Sequence, residues 1–344
     1  MQNEAQLITR IEKTAEEKEF SGVISLVEKG KPIFEKAYGD ADKSQRINNQ
    51  LNTRFGIASG TKTFTALAIG KLIQEGKLSF SSKAVACTEI TLPNISPDVT
   101  IKQLLTHTSG IADYYDEEEV EDPEAFFVEI PWYQLAGPKD YLPLFINEPM
   151  KFEPGTRFSY SNGGYILLGI ILEEITGVAY QRYVEENLFA PCRMTDSGFF
   201  AMNALPERTA YGYINTENGW TTNIYNLPII GASDGGAFTT VDDLKRFWHS
   251  LFAYKILNKE LLDIFLQPYQ CVGSPDKHKY YGHGFWMYQK PERELVYYLQ
   301  GWDAGVSFQS QIILSQDVIV TILSNMTEGV WSIVQVIKSH GWYS

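Results

Sequence analysis

Hydrophobic positions between residues 4 and 18 recur at helical spacing. Leu7, Ile8, Ile11 and Ala15 fall on one face, which predicts an amphipathic helix. The period then changes. "GVISLVEKGKPIFEKAYGDAD", from residue 22, reads as two β-runs joined at Glu28–Lys31, with Gly30-Lys31 marking the turn. A similar pattern returns near the C-terminus: "VSFQSQIILSQDVIVTILSN" holds two β-rich runs about Ser315–Asp317, and "WSIVQVIKSHGW" follows as a final helix. Between them the chain has helical periodicity, with helices predicted over 61–76, 101–107, 163–176, 180–187 and 241–257. Neither an internal repeat nor a Pro/Ser-rich linker interrupts it. Strands at both ends with one helix each predict an antiparallel sheet flanked by terminal helices, an α/β (α+β) fold with an inserted, mostly helical region. Residues 1–58 and 276–344 form the expected sheet region and 59–275 the helical one, with a cleft between them.

Composition narrows the function. The 344 residues are 44% hydrophobic, enough for a large core. The formal net charge of -13 argues against binding a phosphate backbone, so no nucleic-acid partner is expected. Cys87, Cys192 and Cys271 are isolated, without CxxC or Cys/His ligand spacing, which predicts neither a zinc site nor a disulfide framework. The start, "MQNEAQLITRIEKTAEE", lacks a basic region followed by an apolar one, and no apolar run approaches the roughly 20 residues of a membrane span. Compartment stays open between cytoplasm and cell envelope. The main compositional break is "DYYDEEEVEDPEAFFVE", in which Asp113, Asp116, Glu117, Glu118, Glu119, Glu121, Asp122 and Glu124 are acidic. It reads as a long loop, either a solvated face or a negative rim that favours cationic substrates. Its spacing is not that of an EF-hand.

Candidate chemistry begins at "SGTK", residues 59–62. With Ser59 at the first turn of the helix through Thr63–Gln74, Lys62 lies one turn on and shares its face. A helix N-terminus stabilises negative charge on a serine oxygen, and burial lowers a lysine's pKa until it accepts a proton near neutrality. Serine caps helices and lysine is common in them, so the pair alone is equally an ordinary helix start. A P-loop is disfavoured because "GIASGTKT" has Thr61 where the second glycine belongs. A second stretch, "FEPGTRFSYSNGGYILLGIILEEITG", places Tyr160-Ser161-Asn162 before an apolar helix. A tyrosine beside a lysine relays protons, and an asparagine amide orients the lysine and binds a carbonyl. Alone, "YSN" reads as well as a helix cap with a core tyrosine.

Together with "VTIKQLLTHTSGI" and "DGGAFTTVDDLKRF", these segments, in this order, resemble the serine β-lactamase-like hydrolases, in particular the branch of class C β-lactamases, D-alanyl-D-alanine carboxypeptidases and esterases. The resemblance covers most of residues 20–250 and the C-terminal hairpin. It implies Ser59 as acylated nucleophile, Lys62 as its base, Tyr160 as proton relay and Asn162 as substrate and lysine positioner, with no metal or organic cofactor. The third motif of the family, Lys-Thr-Gly or His-x-Gly on an inner strand, is matched to "LQGWDAGVSFQS" by placing Trp302 at the Lys/His and Ala304 at the glycine. Gly305 then supplies an oxyanion N–H beside that of Ser59. Tryptophan in place of a cation leans the expected substrate toward an ester or other uncharged acyl group. The alternatives are a penicillin-binding carboxypeptidase or β-lactamase, and a non-catalytic binding protein; the intact set of four residues argues against the last. A monomer acting on a small-molecule or peptide substrate is expected.

"GASDG", residues 231–235, matches the GxSxG elbow through Ser233, but the βαβ alternation that elbow needs is missing and His249, His278, His283 and His340 have no supporting context. The resemblance makes this segment the turn before a helix starting near Thr240 or Asp242. His107 is expected to end a helix and hydrogen-bond locally. His283 is expected in a strand as a structural residue. Tyrosines and tryptophans at 280–288 line the cleft or pack the core.

Overall fold

The computed structural model describes residues 2–120, 122–274, 278–290 and 294–340; Glu121, the expected boundary at 276 and the final Gly341-Trp342 of the last helical segment lie outside them. An eight-stranded antiparallel sheet forms one layer. Its strands are β1 (Gly22–Glu28), β2 (Lys31–Tyr38), β3 (Gln270–Cys271), β4 (Lys279–Tyr281), β5 (Trp286–Gln289), β6 (Leu295–Asp303), β7 (Val306–Ile313) and β8 (Val318–Ser324), in the order β2-β1-β8-β7-β6-β5-β4-β3. The two chain ends meet inside it, one strand in from the β2 edge, where Val23 pairs with Leu323 and Leu26 with Val320.

These interior strands are apolar on both faces because both are covered. Their period of two divides them between two cores. Ile24, Leu26, Val320 and Ile322 pack with Leu7, Ile11 and Ala15 of helix α1 (Gln2–Glu17) and with Val330, Ile333 and Ile337 of α8 (Gly329–Lys338). Val23, Ile319 and Leu323 face the helical region. The expected sheet with terminal helices is therefore present, and it takes in β3, which precedes the expected boundary.

The helical region is built on α2 (Thr61–Gln74) and α4 (Asn162–Thr176), with α3 (Ile101–Leu105), α5 (Tyr180–Val184), α6 (Val241–Phe252) and α7 (Lys259–Phe265) around them. Helix α2 is buried continuously from Thr61 to Gly70, and α4 from Asn162 to Leu172, so both are core helices. The Ser161 hydroxyl caps α4 by accepting the Gly164 N–H at 2.9 Å, and Gly177 at φ 68° ends it. Thr240 caps α6, accepting the Asp243 N–H at 3.2 Å. The helix expected over 241–257 is shorter: α6 stops at Phe252, Tyr254 takes φ 57°, and beyond the expected end Asn258 caps a separate helix, α7. Past Val184 the backbone widens into a π-helical turn, Glu185–Phe189.

Candidate active site

Ala58–Gly60 form a single 3₁₀ turn that runs directly into α2. Ala58 is held at φ 43°, a conformation a non-glycine residue avoids. The turn is fixed from outside: Thr61 Oγ1 donates to the Ala58 carbonyl at 2.8 Å and accepts the Ala237 N–H at 3.0 Å. Ser59 projects from this turn, half-buried, into a groove of about 290 Å³ that it shares with Tyr160, Trp286, Gln300 and Trp302.

Lys62, one helical turn on, is 2% exposed. Its Nζ lies 3.0 Å from Ser59 Oγ and donates to Asn162 Oδ1 at 2.6 Å and to the Asp234 carbonyl at 2.7 Å. Burial lowers its pKa, opposed chiefly by the carboxyl of Asp234 and then those of Glu117, Asp113 and Asp303. Tyr160 lies between His107, 4.2 Å away centre to centre, and Trp286, stacked at 5.9 Å. Burial pushes its phenol well above the usual range, and a hydrogen bond to Ser59 partly offsets this, so the phenol is neutral. The four expected residues therefore converge on one point.

A family comparison gives the geometry a context. The Beta-lactamase family model matches residues 7–332. The chain belongs to the beta-lactamase family. A solved penicillin binding protein from Bacillus halodurans is 40% identical over 96% of this chain and 99% of its own, with a TM-score of 0.89. A penicillin-binding protein of Bacillus subtilis is 28% identical over 86% of this chain, which spans 66% of that relative's length. Protein flp of Staphylococcus aureus is 32% identical over 74% of this chain, which spans 46% of its length. Like its family, the chain is a serine hydrolase.

Against the family's third motif the structure requires a change of register. The strand residue that must lack a side chain is Gly301: a Cβ there would sit 2.0 Å from the Ile57 carbonyl oxygen and 3.0 Å from the Gly60 nitrogen, in the turn that carries Ser59. Ala304 is instead fully buried in the β6–β7 hairpin, its carbonyl accepting from Asn223 Nδ2 at 2.8 Å. Gly305, at φ 67°, donates its N–H to Thr327 Oγ1 at 2.9 Å, so that N–H is engaged away from the groove. Leu299-Gln300-Gly301 therefore occupies the place expected for Trp302-Asp303-Ala304. The position of the family's cation falls to Leu299, 1% exposed and part of the apolar core. Trp302 does border the groove, and its indole N–H donates to Glu328 Oε1 at 2.7 Å. Sequence spacing misplaced the motif because Gly301 and Gly305 each offer a glycine after a run of strand residues. Only the distance to Gly60 separates them.

Acidic residues contribute more than the sequence suggested. Asp113 accepts the N–H groups of Asn162 at 2.6 Å, Gly163 at 2.9 Å and Tyr115 at 3.2 Å, so it anchors the α4 end that carries Asn162. Asp234 accepts the Tyr114 hydroxyl. Asp116 and Glu118 pair with Lys151 and Arg157. Glu117 lines the groove and is exposed to solvent. The loop is thus part clamp, part ion-paired surface and part groove wall.

The decoys resolve on packing. Ser233 is fully buried, its Oγ without a partner among the described residues, against α4 where a Cβ on Gly169 would lie 2.2 Å away. His107 follows α3, but its bond is long-range: Nδ1 accepts the Ser161 N–H at 3.0 Å. Burial keeps it neutral. His283 lies in the bend between β4 and β5 rather than in a strand, packed by Phe80, Phe265 and Tyr269. Tyr281 is core and Trp286 lines the groove.

The enclosed carboxyls have a measurable consequence. Burial pushes Asp303 up to about 7, with Asp234 and Glu117 adding to the rise and Lys62 opposing it. An unfolded aspartate titrates near 3.9. Between those values the folded state binds more protons, so this residue favours folding at low pH and that benefit is lost as pH rises through about 7. Asp303→Asn retains an acceptor for the Ala304 N–H, which Asp303 Oδ1 accepts at 2.9 Å. The expected result is that Tm of Asp303→Asn relative to wild type rises between pH 5 and 8.5. A pH-independent difference in paired melting curves would show an ordinary aspartate.

Proposed function

We propose that the protein hydrolyses esters or other small uncharged acyl substrates in two steps through an acyl-enzyme at Ser59. The observation that carries this is the environment of Lys62. A neutral amine has two hydrogens and one lone pair. The hydrogens go to Asn162 Oδ1 and the Asp234 carbonyl, which leaves the lone pair for the Ser59 O–H. As Ser59 Oγ bonds to the acyl carbon, its proton passes to Lys62 Nζ. The oxyanion is held by the Ser59 N–H and, following the glycine of the corrected register, the Trp302 N–H. Tyr160 hands the proton on to the leaving group as the ester bond breaks. Water then enters, gives a proton back through Tyr160 and Lys62, and releases the acid with Ser59 restored.

Specificity is read from charge. Leu299 offers nothing to a substrate carboxylate, and Glu117 and Glu328 on the groove repel one. Lys279, its Nζ 4.1 Å from the centre of the Trp286 ring, sets a cation beside this wall and favours the second reading, a penicillin-binding carboxypeptidase or β-lactamase. The names of the relatives from Bacillus point the same way. The two readings separate with p-nitrophenyl acetate and a fluorescent penicillin. Multiple turnovers of the ester with slow, substoichiometric labelling by the penicillin are expected. Fast stoichiometric penicillin labelling without ester turnover would reverse the assignment, and inertness to both would leave a non-catalytic binding protein.

A further inference from the structure

Tyr160 belongs to no helix or strand; it lies just before α4, whose cap is Ser161. A phenol that passes protons must nevertheless be held closely, since a misplacement of about 1 Å at a reacting group costs on the order of 100-fold in rate. The main chain on both sides of it is bound to a single residue. The Ser159 N–H donates to the His107 carbonyl at 2.9 Å, and the Ser161 N–H donates to His107 Nδ1 at 3.0 Å. The hold continues along the same segment, where the carbonyls of Thr108 and Gly110 accept the N–H groups of Gly155 and Lys151, each at 2.7 Å.

His107 leaves α3 at φ 56°, in the left-handed region, with its carbonyl and its imidazole both engaged by residues 159–161. The residue is 1% exposed. Its ring lies 4.2 Å from the Tyr160 ring, centre to centre, and Tyr281 and Tyr165 pack it at 4.6 and 4.9 Å. Because Nδ1 accepts an N–H it carries no proton, so the hydrogen of the neutral ring is on Nε2. Burial, and then the charge of Lys62, keep the ring in that neutral form. Removing Nδ1 takes away the acceptor of a buried N–H one residue from Tyr160, a costly loss that the chain relieves by moving.

We infer that His107 is a positioning residue for Tyr160: its carbonyl and Nδ1 brace the chain on either side of the tyrosine, its ring backs the phenol, and the hydroxyl is thereby aimed at the leaving-group oxygen. The inference rests on the serine acyl-transfer reading above, in which Tyr160 gives that oxygen its proton as the ester bond breaks. Substrates then depend on His107 unequally. p-Nitrophenolate is a weak base and leaves with little need of a proton. Phenolate is about as basic as an ionised tyrosine, whose pKa is about 10, and needs one.

Phenyl acetate and p-nitrophenyl acetate test it, each corrected for its enzyme-free rate, with kcat/KM as the readout because it reports acylation. His107→Phe keeps a ring against Tyr160 and removes the acceptor. It is expected to lose about 100-fold on phenyl acetate and about tenfold on p-nitrophenyl acetate. His107→Asn keeps an acceptor, Oδ1, as many bonds from the main chain as Nδ1, and asparagine tolerates the left-handed backbone. It is expected to keep most of the rate on both esters, with their ratio unchanged and Tm lowered by the lost packing. Equal losses on the two esters in His107→Phe, or an active His107→Phe beside an impaired His107→Asn, would mark a packing role and overturn the inference. Tyr160→Phe identifies which reading has failed. If it loses selectively on phenyl acetate and His107→Phe does not, only the role of His107 falls. If it shows no selectivity, or wild type turns over neither ester, the parent reading fails and takes this one with it. Should His107→Phe not fold, ring ¹⁵N spectra of wild type decide: Nδ1 of His107, assigned by its loss in His107→Asn, is expected to be unprotonated, and an Nδ1–H would overturn the inference.

Discussion

Ser59→Ala is expected to lower kcat/KM for p-nitrophenyl acetate by at least about 10³-fold, in line with the loss when the nucleophile of an acyl-transfer enzyme is removed. The residue sits where a strained turn, a helix N-terminus and an open groove coincide. Its hydroxyl makes few structural contacts beyond Lys62 and Tyr160, so Tm should move by no more than a few degrees. That separation of activity from stability is the diagnostic feature. Ser233→Ala supplies the control, because Ser233 is buried against Gly169 with no route to a substrate. Activity retained in Ser59→Ala and lost in Ser233→Ala would exchange the two assignments.

Lys62→Met is expected to reduce kcat by about 10²–10⁴-fold, the usual range for loss of a positioned acid–base group. Methionine fits the buried channel and removes the amine. Asn162 Oδ1 and the Asp234 carbonyl then lose their donor, at roughly 1–3 kcal/mol per buried group, while relief of a buried ionisable group acts in the opposite direction. KM should change little, because Nζ lies below the groove rather than on its wall. Lys62→Arg should be as inactive, since a guanidinium does not give up its proton. Wild-type kcat/KM should climb with pH as Lys62 deprotonates, below the usual lysine range because burial lowers its pKa. A Lys62→Arg enzyme that keeps both its rate and this limb would remove the lysine from the mechanism.

Much of this arrangement is legible in the sequence, for identifiable reasons. Local signals were read well: the α1 face, the two hairpins and the start of α4 depend on periodicity and on short-range turn and cap chemistry. Ser59, Lys62, Tyr160 and Asn162 lie on two segments whose order and spacing carry the family pattern. What went unread depended on distance through space. Asp113 looked like one of eight charges in a loop, and its anchoring role exists only because the α4 N-terminus folds against it. Asp234 lay inside the GxSxG decoy, where the serine drew attention and the useful atom is a main-chain carbonyl. The register of the third motif turned on which glycine meets the Gly60 nitrogen, a contact 241 residues apart in sequence that no spacing rule encodes. The short strands β3 and β4 carry too few residues for a period of two to be counted.

The most direct test is to trap the covalent state. Wild-type protein treated with a fluorophosphonate, digested and mapped by mass spectrometry, is expected to carry one adduct on the peptide containing Ser59, and that adduct should be missing from Ser59→Ala. An adduct on Ser233, or no adduct on a folded protein that still turns over p-nitrophenyl acetate, would contradict a hydroxyl activated by the buried amine one turn along the helix.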